Sequence, residues 1–142
     1  APKGSSYLGL EGSASLADLT RRRLQRHADA GMDVRVETGP FDQTLPEVIS
    51  AKRPFDLVFL DGCHEGEILM GQWQKIQPLL APNGIVVVDD IRWSVDMHAA
   101  WLRLASDPQL AALDLFRMGI LTPDTAAGGR VGTARVSWRQ RA

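Results

Sequence analysis

The chain has 142 residues, of which 44% are hydrophobic, and its 16 basic and 17 acidic residues give a formal charge of -1. This length is enough for one sizeable core and too short to indicate two, so we expect a single domain over residues 1–142. The near-zero charge excludes the positive field that attracts nucleic acid or an anionic membrane surface, which leaves a small molecule as the expected partner.

Cysteine content and hydropathy narrow the expected cellular setting. Cys63 is the only cysteine, so no internal disulfide can form, and no apolar run approaches the roughly 20 residues that span a bilayer. The amino terminus lacks the basic start and apolar stretch of a secretory signal, and it leads at once into an apolar segment. We expect a soluble, cytoplasmic protein with a clipped amino terminus and no membrane partner, and a homodimer is left open.

The first third of the chain alternates between strand and helix patterns. Tyr7–Leu10 is a compact apolar strand, and Ser13 or Ser15 can cap the helix that follows. That helix runs to Arg26 or beyond, is closed by Gly31 in the left-handed region, and has three inward-facing candidates: Leu16, Leu19 and Leu24.

A second strand and a second helix complete this third. Val34–Glu37 alternates as a strand with one wet face does, and Gly39-Pro40 ends it. The segment Thr44-Leu45-Pro46-Glu47 has the spacing of a capping box, with proline in the first turn where no donor is needed. The spacing predicts a helix from this box to about Lys52.

The middle of the chain carries the strongest pattern, a strand, helix and strand. Phe55–Leu60 is a near-continuous apolar run, as expected of a central parallel strand that is buried on both faces. A turn over Pro82-Asn83-Gly84 leads into a second buried run at Ile85–Val88. Between the two runs, apolar residues recur at helical spacing: Ile68, Leu69, Trp73, Ile76, Leu79 and Leu80.

The last third predicts one more helix and then two strands. The helix contains Val95, Trp101, Leu102 and Ala105 and is closed by Asp107-Pro108. Leu113–Leu121 and Val131–Trp138 have no helical pattern between them, so we expect an antiparallel pair, with Pro123–Gly129 as a mobile loop. The whole order predicts a Rossmann-like α/β fold, with a mostly parallel sheet and helices on both faces. Ligands of such sheets bind at the carboxyl ends of the strands.

Acidic residues follow three of the predicted strands. Glu11 comes directly after the first strand, where a carboxylate can accept both hydroxyl protons of a ribose or, equally, act as a first-turn acid of the next helix. Asp61, Asp89 and Asp90 follow two strands that are predicted to be neighbours. Their oxygens suit a hard divalent cation such as Mg²⁺. Without one, a substrate amine or a nearby arginine would relieve the repulsion among them, and they can also simply cap the following helices.

His64 lies three residues beyond Asp61, and its imidazole exchanges protons near neutral pH, so it is our first candidate for a catalytic base. A capping or surface role is the alternative. Cys63 is expected to be a small buried side chain rather than a nucleophile. Trp93 and Trp101 can line an aromatic pocket, although packing in the core is the default expectation. We expect His27 and His98 to be structural.

With these strands in place, the chain resembles class I S-adenosylmethionine-dependent methyltransferases from their second strand to the carboxyl terminus. Three segments carry the resemblance, and the last two are similar to the fourth and fifth strands of the O-methyltransferase-like branch: Tyr-Leu-Gly-Leu-Glu at 7–11, Phe-Asp-Leu-Val-Phe-Leu-Asp-Gly-Cys-His at 55–64 and Pro-Asn-Gly-Ile-Val-Val-Val-Asp-Asp-Ile-Arg-Trp at 82–93.

The resemblance implies methyl transfer from S-adenosylmethionine to a small-molecule hydroxyl. It places Glu11 and Gly12 at the ribose, Pro40, Phe41 and Asp42 along the adenine, and Asp61 near the methionine portion and the acceptor. In cation-dependent relatives, such as those similar to catechol, caffeoyl-coenzyme A and macrolide-sugar O-methyltransferases, acids matching Asp61, Asp89 and Asp90 hold magnesium. Here Asp90 stands where the catechol type has asparagine.

The resemblance also implies an absence. The family's first strand and glycine-rich turn would precede Ala1, so we expect the second- and fourth-strand equivalents either to leave a gap or to pair directly. Two other functions stay open. A nicotinamide-dependent oxidoreductase also uses an acid at the ribose, but its Gly-x-Gly-x-x-Gly fingerprint is missing. A non-catalytic Rossmann-like binding module is the second alternative.

Overall fold

The computed structural model describes residues 4–51, 53–124 and 131–133. The chain divides into two compact units, Ala1–Lys52 and Arg53–Ala142. Each unit contains its own sheet among the described strands. The expected single-domain organisation stays a prediction, and the two units are described in turn.

Over residues 4–51, the first unit has two strands and two helices in alternation: β1 (Ser6–Glu11), α1 (Ala14–Asp29), β2 (Asp33–Thr38) and α2 (Phe41–Ser50). The strands pair in parallel, from Ser6 opposite Asp33 to Glu11 opposite Thr38. Gly31, at a φ of +91°, takes the left-handed turn that was predicted to close α1. This arrangement brings the carboxyl ends of β1 and β2 to one edge.

The inward face of α1 differs from the prediction. Leu16 and Leu19 are exposed, and the buried residue of the helix is Ala17. Residues at i, i+4 and i+7 share a helix face, which groups Ala17 with Arg21 and Leu24. Arg21 donates hydrogen bonds to the Val36 carbonyl and to Thr38 Oγ1, so this face packs on β2 through a basic side chain. The two predicted leucines lie off that face.

Helix α2 begins earlier than the predicted capping box. Its N-cap is Pro40, and Thr44 lies inside the helix, where its hydroxyl donates back to the Pro40 carbonyl. Pro46 is therefore an interior proline rather than a first-turn one, and it removes one donor from the helical ladder. The capping-box interpretation is wrong because the restricted backbone at Pro40 already starts the helix.

The described residues of the second unit form five strands and two helices. In chain order these are β3 (Phe55–Leu60), α3 (Gly66–Ile76) with a short 3₁₀ turn (Gln77–Leu79), β4 (Leu80–Val88), α4 (Val95–Ala105), β5 (Leu110–Asp114), β6 (Gly119–Pro123) and β7 (Val131–Thr133). The strand order is β3-β4-β6-β5-β7. The β3–β4 and β5–β7 pairs are parallel, whereas β4–β6 and β5–β6 are antiparallel.

The two apolar runs in the middle of the chain form the predicted parallel pair, with two corrections. Strand β3 ends the described sheet and pairs with β4 alone among the described strands, so Leu57 and Phe59 are 63% and 55% exposed instead of buried. The predicted turn at Pro82-Asn83-Gly84 lies within β4, where the β3–β4 register shifts between Phe55 and Leu57. Pro82-Asn83-Gly84 thus form a bulge within β4 and not a turn before it.

The core of the second unit lies on one face of its sheet, beneath α3 and α4. Val58 and Leu60 of β3 contribute to it from the edge. Trp101 has no exposed surface and is among its largest fully buried side chains, together with Ile91, Leu121, Val86 and Val88. Trp101 is therefore a core residue, as expected, and it lies under the strands that carry the acidic loops.

The carboxyl-terminal region contains an antiparallel strand pair, as expected, but it is formed by other strands than the predicted Leu113–Leu121 and Val131–Trp138. The run Leu113–Leu121 is two strands, β5 and β6, joined by a turn in which Phe116 has a φ of +70°. These two form the antiparallel pair, and β7 is parallel to β5. Residues 125–130 and 134–142, which include most of the predicted loop and last strand, lie outside the described residues.

The α/β fold class is confirmed. Among the described strands, β1 and β3, the expected equivalents of the second and fourth family strands, belong to different sheets and do not pair directly. None of the described helices is long and apolar enough to cross a membrane.

Candidate active site

The candidate cofactor residues of the first unit lie around the ends of β1 and β2. The Glu11 carbonyl accepts a hydrogen bond from the Gly39 amide at 3.0 Å, so the loop that leads into Pro40, Phe41 and Asp42 is fastened to the end of β1. Parallel strands present their carboxyl ends together, which is why the sequence brings these two segments to one place.

Glu11 is partly exposed, and its carboxylate is oriented by the backbone. Its Oε1 accepts a hydrogen bond from the Ser13 amide at 2.8 Å. A Cβ added at Gly12 would meet nothing within 4 Å, so open space lies beside the acid. A carboxylate held by one oxygen beside open space suits the two hydroxyl donors of a ribose, and the local structure fits that role.

The second unit gathers the other candidate residues at the carboxyl ends of β3 and β4. The Asp89 amide donates to the Leu60 carbonyl at 2.9 Å, which holds the two strand ends side by side. Asp61 and His64 follow β3, and Asp90 follows β4, so pairing of the two strands is what brings these side chains together.

His64 lies between two carboxylates. Its Nε2 is 3.6 Å from Asp61 Oδ1 and 3.4 Å from Asp90 Oδ2. Nε2 is buried and, among the described residues, has no hydrogen-bond partner of good geometry, although the side chain as a whole is 29% exposed. The ring therefore turns one nitrogen toward the carboxylates and presents part of the rest to solvent.

Trp93 forms a wall beside this histidine. The two ring centroids are 5.1 Å apart and the planes are tilted by 34°. Trp93 is 68% exposed, which corrects the expectation of a core residue, since its other surface borders an open pocket of about 410 Å³. The pocket is lined by Arg92, Trp93, Ser94, Val95 and His98.

Arg117, on the turn between β5 and β6, contacts the acidic pair after β4. Its Nε donates to Asp90 Oδ1 at 3.0 Å and lies 3.8 Å from Asp89 Oδ1. Its carbonyl accepts from the Ile91 amide at 3.0 Å, so backbone and side chain both fasten the turn to the acidic loop. A nearby arginine was one expected partner of these acids, but Arg117 was not predicted from the sequence, because nothing in the run around Phe116 distinguishes it.

The three aspartates do not form a ready metal centre. No three Asp, Glu, His or Cys side chains in the described part of the chain converge closely enough to hold a metal ion. Asp89 Oδ1 accepts from the Asp90 amide at 2.8 Å, and both oxygens of Asp90 face Arg117 or His64. The donor chemistry suits a divalent cation, but the arrangement does not fit one.

A second ion pair supports the loop after β4. Arg92 donates to both carboxylate oxygens of Asp114, at 2.8 and 2.9 Å, and its guanidinium lies over the Phe116 ring. Hydrogen bonding from Arg92 lowers the pKa of Asp114 to about 2, against the opposing effect of burial, with further donation from the Phe116 amide and Trp101 Nε1. Asp114 thus links the core tryptophan to the loop that carries Trp93.

Two residues of the site have left-handed backbones that favour glycine. Cys63 has a φ of +50° and Asp90 a φ of +51°. Cys63 is also exposed, which corrects the expectation of a buried thiol. Asp90 tolerates this region better than most residues, since its short polar side chain can bond locally. The turns aim His64 and the Asp90 carboxylate toward each other at some cost in backbone energy.

The model of a family described as a methyltransferase domain matches residues 4–91, more than half of the chain. The chain belongs to this family. The match covers all four elements of the first unit and both strand ends that carry the acids of the second. This membership favours methyl transfer over the nicotinamide-dependent alternative. A search of curated proteins finds no match.

Solved structures, including two O-methyltransferases, have the same fold. The O-methyltransferase from Bacillus cereus in complex with SAH is 20% identical, with a TM-score of 0.67 over 85% of this chain. The O-methyltransferase TomG from Streptomyces achromogenes, in complex with SAM, is 19% identical with a TM-score of 0.66 over 86% of the chain. Cofactor-bound Rv0187 from MTB is 26% identical with a TM-score of 0.63 over 82%. The match covers 60% to 63% of these three chains.

Proposed function

We propose that the protein takes part in methyl transfer from S-adenosylmethionine to the hydroxyl of a small molecule. The observation that carries the proposal is the position of His64 between Asp61 and Asp90, at the carboxyl ends of β3 and β4. Membership of a methyltransferase family supports the reaction class. The hydroxyl as acceptor is supported by a proton-accepting side chain at this edge.

In this proposal His64 is the general base. The carboxylates flank Nε2, so they favour the tautomer with its hydrogen on that atom and leave Nδ1 to accept the proton of the acceptor hydroxyl. The imidazolium that results is stabilised by the same two aspartates. S-adenosylmethionine, when bound, would supply an activated methyl group on its sulfonium, with the neutral thioether as the leaving group.

Other residues bind and position in this proposal. Glu11 and Gly12 hold the ribose, and Pro40, Phe41 and Asp42 lie along the adenine. Asp61 has a second role near the methionine portion of the cofactor. A divalent cation is not part of the mechanism we propose, because the three aspartates do not converge on one point among the described residues. The cytoplasmic setting and the homodimer stay predictions.

Two measurements test the proposal. Calorimetric titration of S-adenosylhomocysteine into the protein should give saturable binding, and Glu11→Gln should weaken it about tenfold, since one charge-assisted contact to the ribose is lost. Glu37→Gln, at an exposed position of β2, is the matched control and should bind as the unaltered protein does.

The second measurement is transfer of radiolabelled methyl groups to a panel of hydroxylated small molecules. His64→Asn should lower the rate by roughly 100-fold or more while leaving S-adenosylhomocysteine binding intact. Absence of binding by the unaltered chain would favour the non-catalytic module. Full activity of the His64 variant would contradict only the role of His64 as the base and would leave the proposed methyl transfer standing.

A further inference from the structure

Asp89 and Asp90 are adjacent carboxylates with little access to water. Their side chains are 17% and 16% exposed. Two like charges so placed repel each other, and burial adds a desolvation penalty, so a compensating positive charge stabilises the ionised pair. In the part of the chain that the structure describes, Arg117 is the cation that contacts both of them.

The contact of Arg117 with this acidic pair is made by an exposed side chain on a hydrogen-bonded backbone. The Arg117 side chain is 71% exposed, so water surrounds most of it. Its carbonyl, in contrast, is held by the Ile91 amide, and the turn is closed by a hydrogen bond from the Leu115 amide to the Met118 carbonyl. The guanidinium can therefore leave the aspartates without unfolding the turn.

We propose that Arg117 is the built-in counter-ion of Asp89 and Asp90 and excludes a divalent cation from them. The inference rests on the proposed active site, and it concerns the charge balance of that site rather than the identity of its base. Arg117 acts as a positioning residue: its Nε holds Asp90 Oδ1, which leaves Oδ2 facing His64. A cation that bound the pair would have to displace the guanidinium and turn Asp90.

The inference predicts that cation affinity is set by Arg117. Removing one positive charge next to the carboxylates should strengthen the binding of a dication on the order of tenfold or more. Arg117→Gln keeps a side chain of similar polarity without the charge, and Arg117→Lys keeps the charge without the planar fork. Arg103→Gln, at an exposed position in the last turn of α4, makes the same change in net charge away from the acidic pair.

The test is titration with Mn²⁺ alone, followed by electron paramagnetic resonance of the free ion, for the unaltered protein and the three variants. Arg117→Gln should have a dissociation constant for Mn²⁺ at least about tenfold lower than the unaltered protein, whereas Arg117→Lys and Arg103→Gln should match it. Without metal, Arg117→Gln should melt at a lower temperature, and Mn²⁺ should restore more of its stability than it adds to the unaltered protein.

Equal Mn²⁺ affinity of the unaltered protein and Arg117→Gln overturns the inference, whether both bind the ion or neither does. A gain of affinity in Arg103→Gln as large as that in Arg117→Gln also overturns it, because net charge would then be the cause. Titration of S-adenosylhomocysteine into the same four proteins separates this result from the proposed function. If none of the four proteins bound S-adenosylhomocysteine, the proposed cofactor site would be contradicted, and the comparison of Mn²⁺ affinities would still be valid.

Discussion

Gly119 is the residue whose substitution tests the packing beneath the candidate site most directly. It begins β6, opposite Val88, and a Cβ added there would lie 2.7 Å from Trp101 Cε3 and closer still to Cζ3 and Cη2. Carbon atoms pack at about 3.5 to 4.0 Å, so the indole would have to move by roughly 1 Å. Trp101 is fully buried, and its Nε1 donates to Asp114 Oδ2 at 3.1 Å, so it has little room to do so.

We expect Gly119→Ala to lower the free energy of unfolding by about 3 kcal/mol, at the upper end of the usual range for overpacking in a core. For a chain of this length that corresponds to a fall in melting temperature of roughly 10 °C. The assay is urea unfolding followed by tryptophan fluorescence and circular dichroism. Gly71→Ala, in helix α3, is the control, because a Cβ there meets nothing within 4 Å and alanine favours a helix.

A double-mutant cycle identifies the cause of the loss. Trp101→Phe removes much of the ring that the new methyl group would meet, so Gly119→Ala should lose less than about 1 kcal/mol in that background. An equal loss in both backgrounds would show that the added methyl group acts through the backbone of β6. A loss under about 1 kcal/mol in the unaltered background would refute the reasoning, since the indole would then have moved freely.

Three further outcomes are expected. The stability contributed by the Arg92–Asp114 pair is present above the ordinary carboxyl pKa of 3.8 and is lost as pH falls through about 2. Asp114→Asn should therefore lower the free energy of unfolding by up to about 2 kcal/mol at pH 7. In a plot of the urea midpoint against pH, the fall at acid pH should be smaller for this variant than for the unaltered protein. Gly66→Ala should destabilise the protein by about 2 kcal/mol in the same assay, because its Cβ would lie 2.6 Å from the Asp96 carbonyl oxygen. Pro46→Ala should raise the melting temperature, since it restores a donor inside α2, and an unchanged value would contradict the interior placement.

The elements that could be predicted from the sequence are those with strong local signals. Gly31 and the acids after the apolar runs at Phe55–Leu60 and Ile85–Val88 lie where the pattern placed them, since a left-handed turn favours glycine and a strand favours β-branched and aromatic residues. Parallel pairing of β3 with β4 then sufficed to bring Asp61, His64 and Asp90 together.

What escaped prediction depends on contacts between distant segments. The exposure of Leu57 follows from the place of β3 in the sheet, which the apolar run alone does not determine. Arg117 reaches Asp90 across 27 positions through a turn that divides an apparently continuous strand. Such a contact cannot be predicted from the local spacing of residues. The same holds for the pairing of Arg92 with Asp114, which are also far apart in the sequence.

The left-handed backbones of Cys63 and Asp90 have a consequence for how this protein would respond to selection. Glycine at either position would relieve backbone strain on the order of 1 kcal/mol, so a library screened only for heat resistance should enrich glycine there. Glycine at position 90 would also delete the carboxylate shared by His64 and Arg117. The most heat-resistant variants should therefore include some that are more stable and lack the Asp90 carboxylate. At position 90, the residue that gives the highest stability differs from the residue that the proposed chemistry requires.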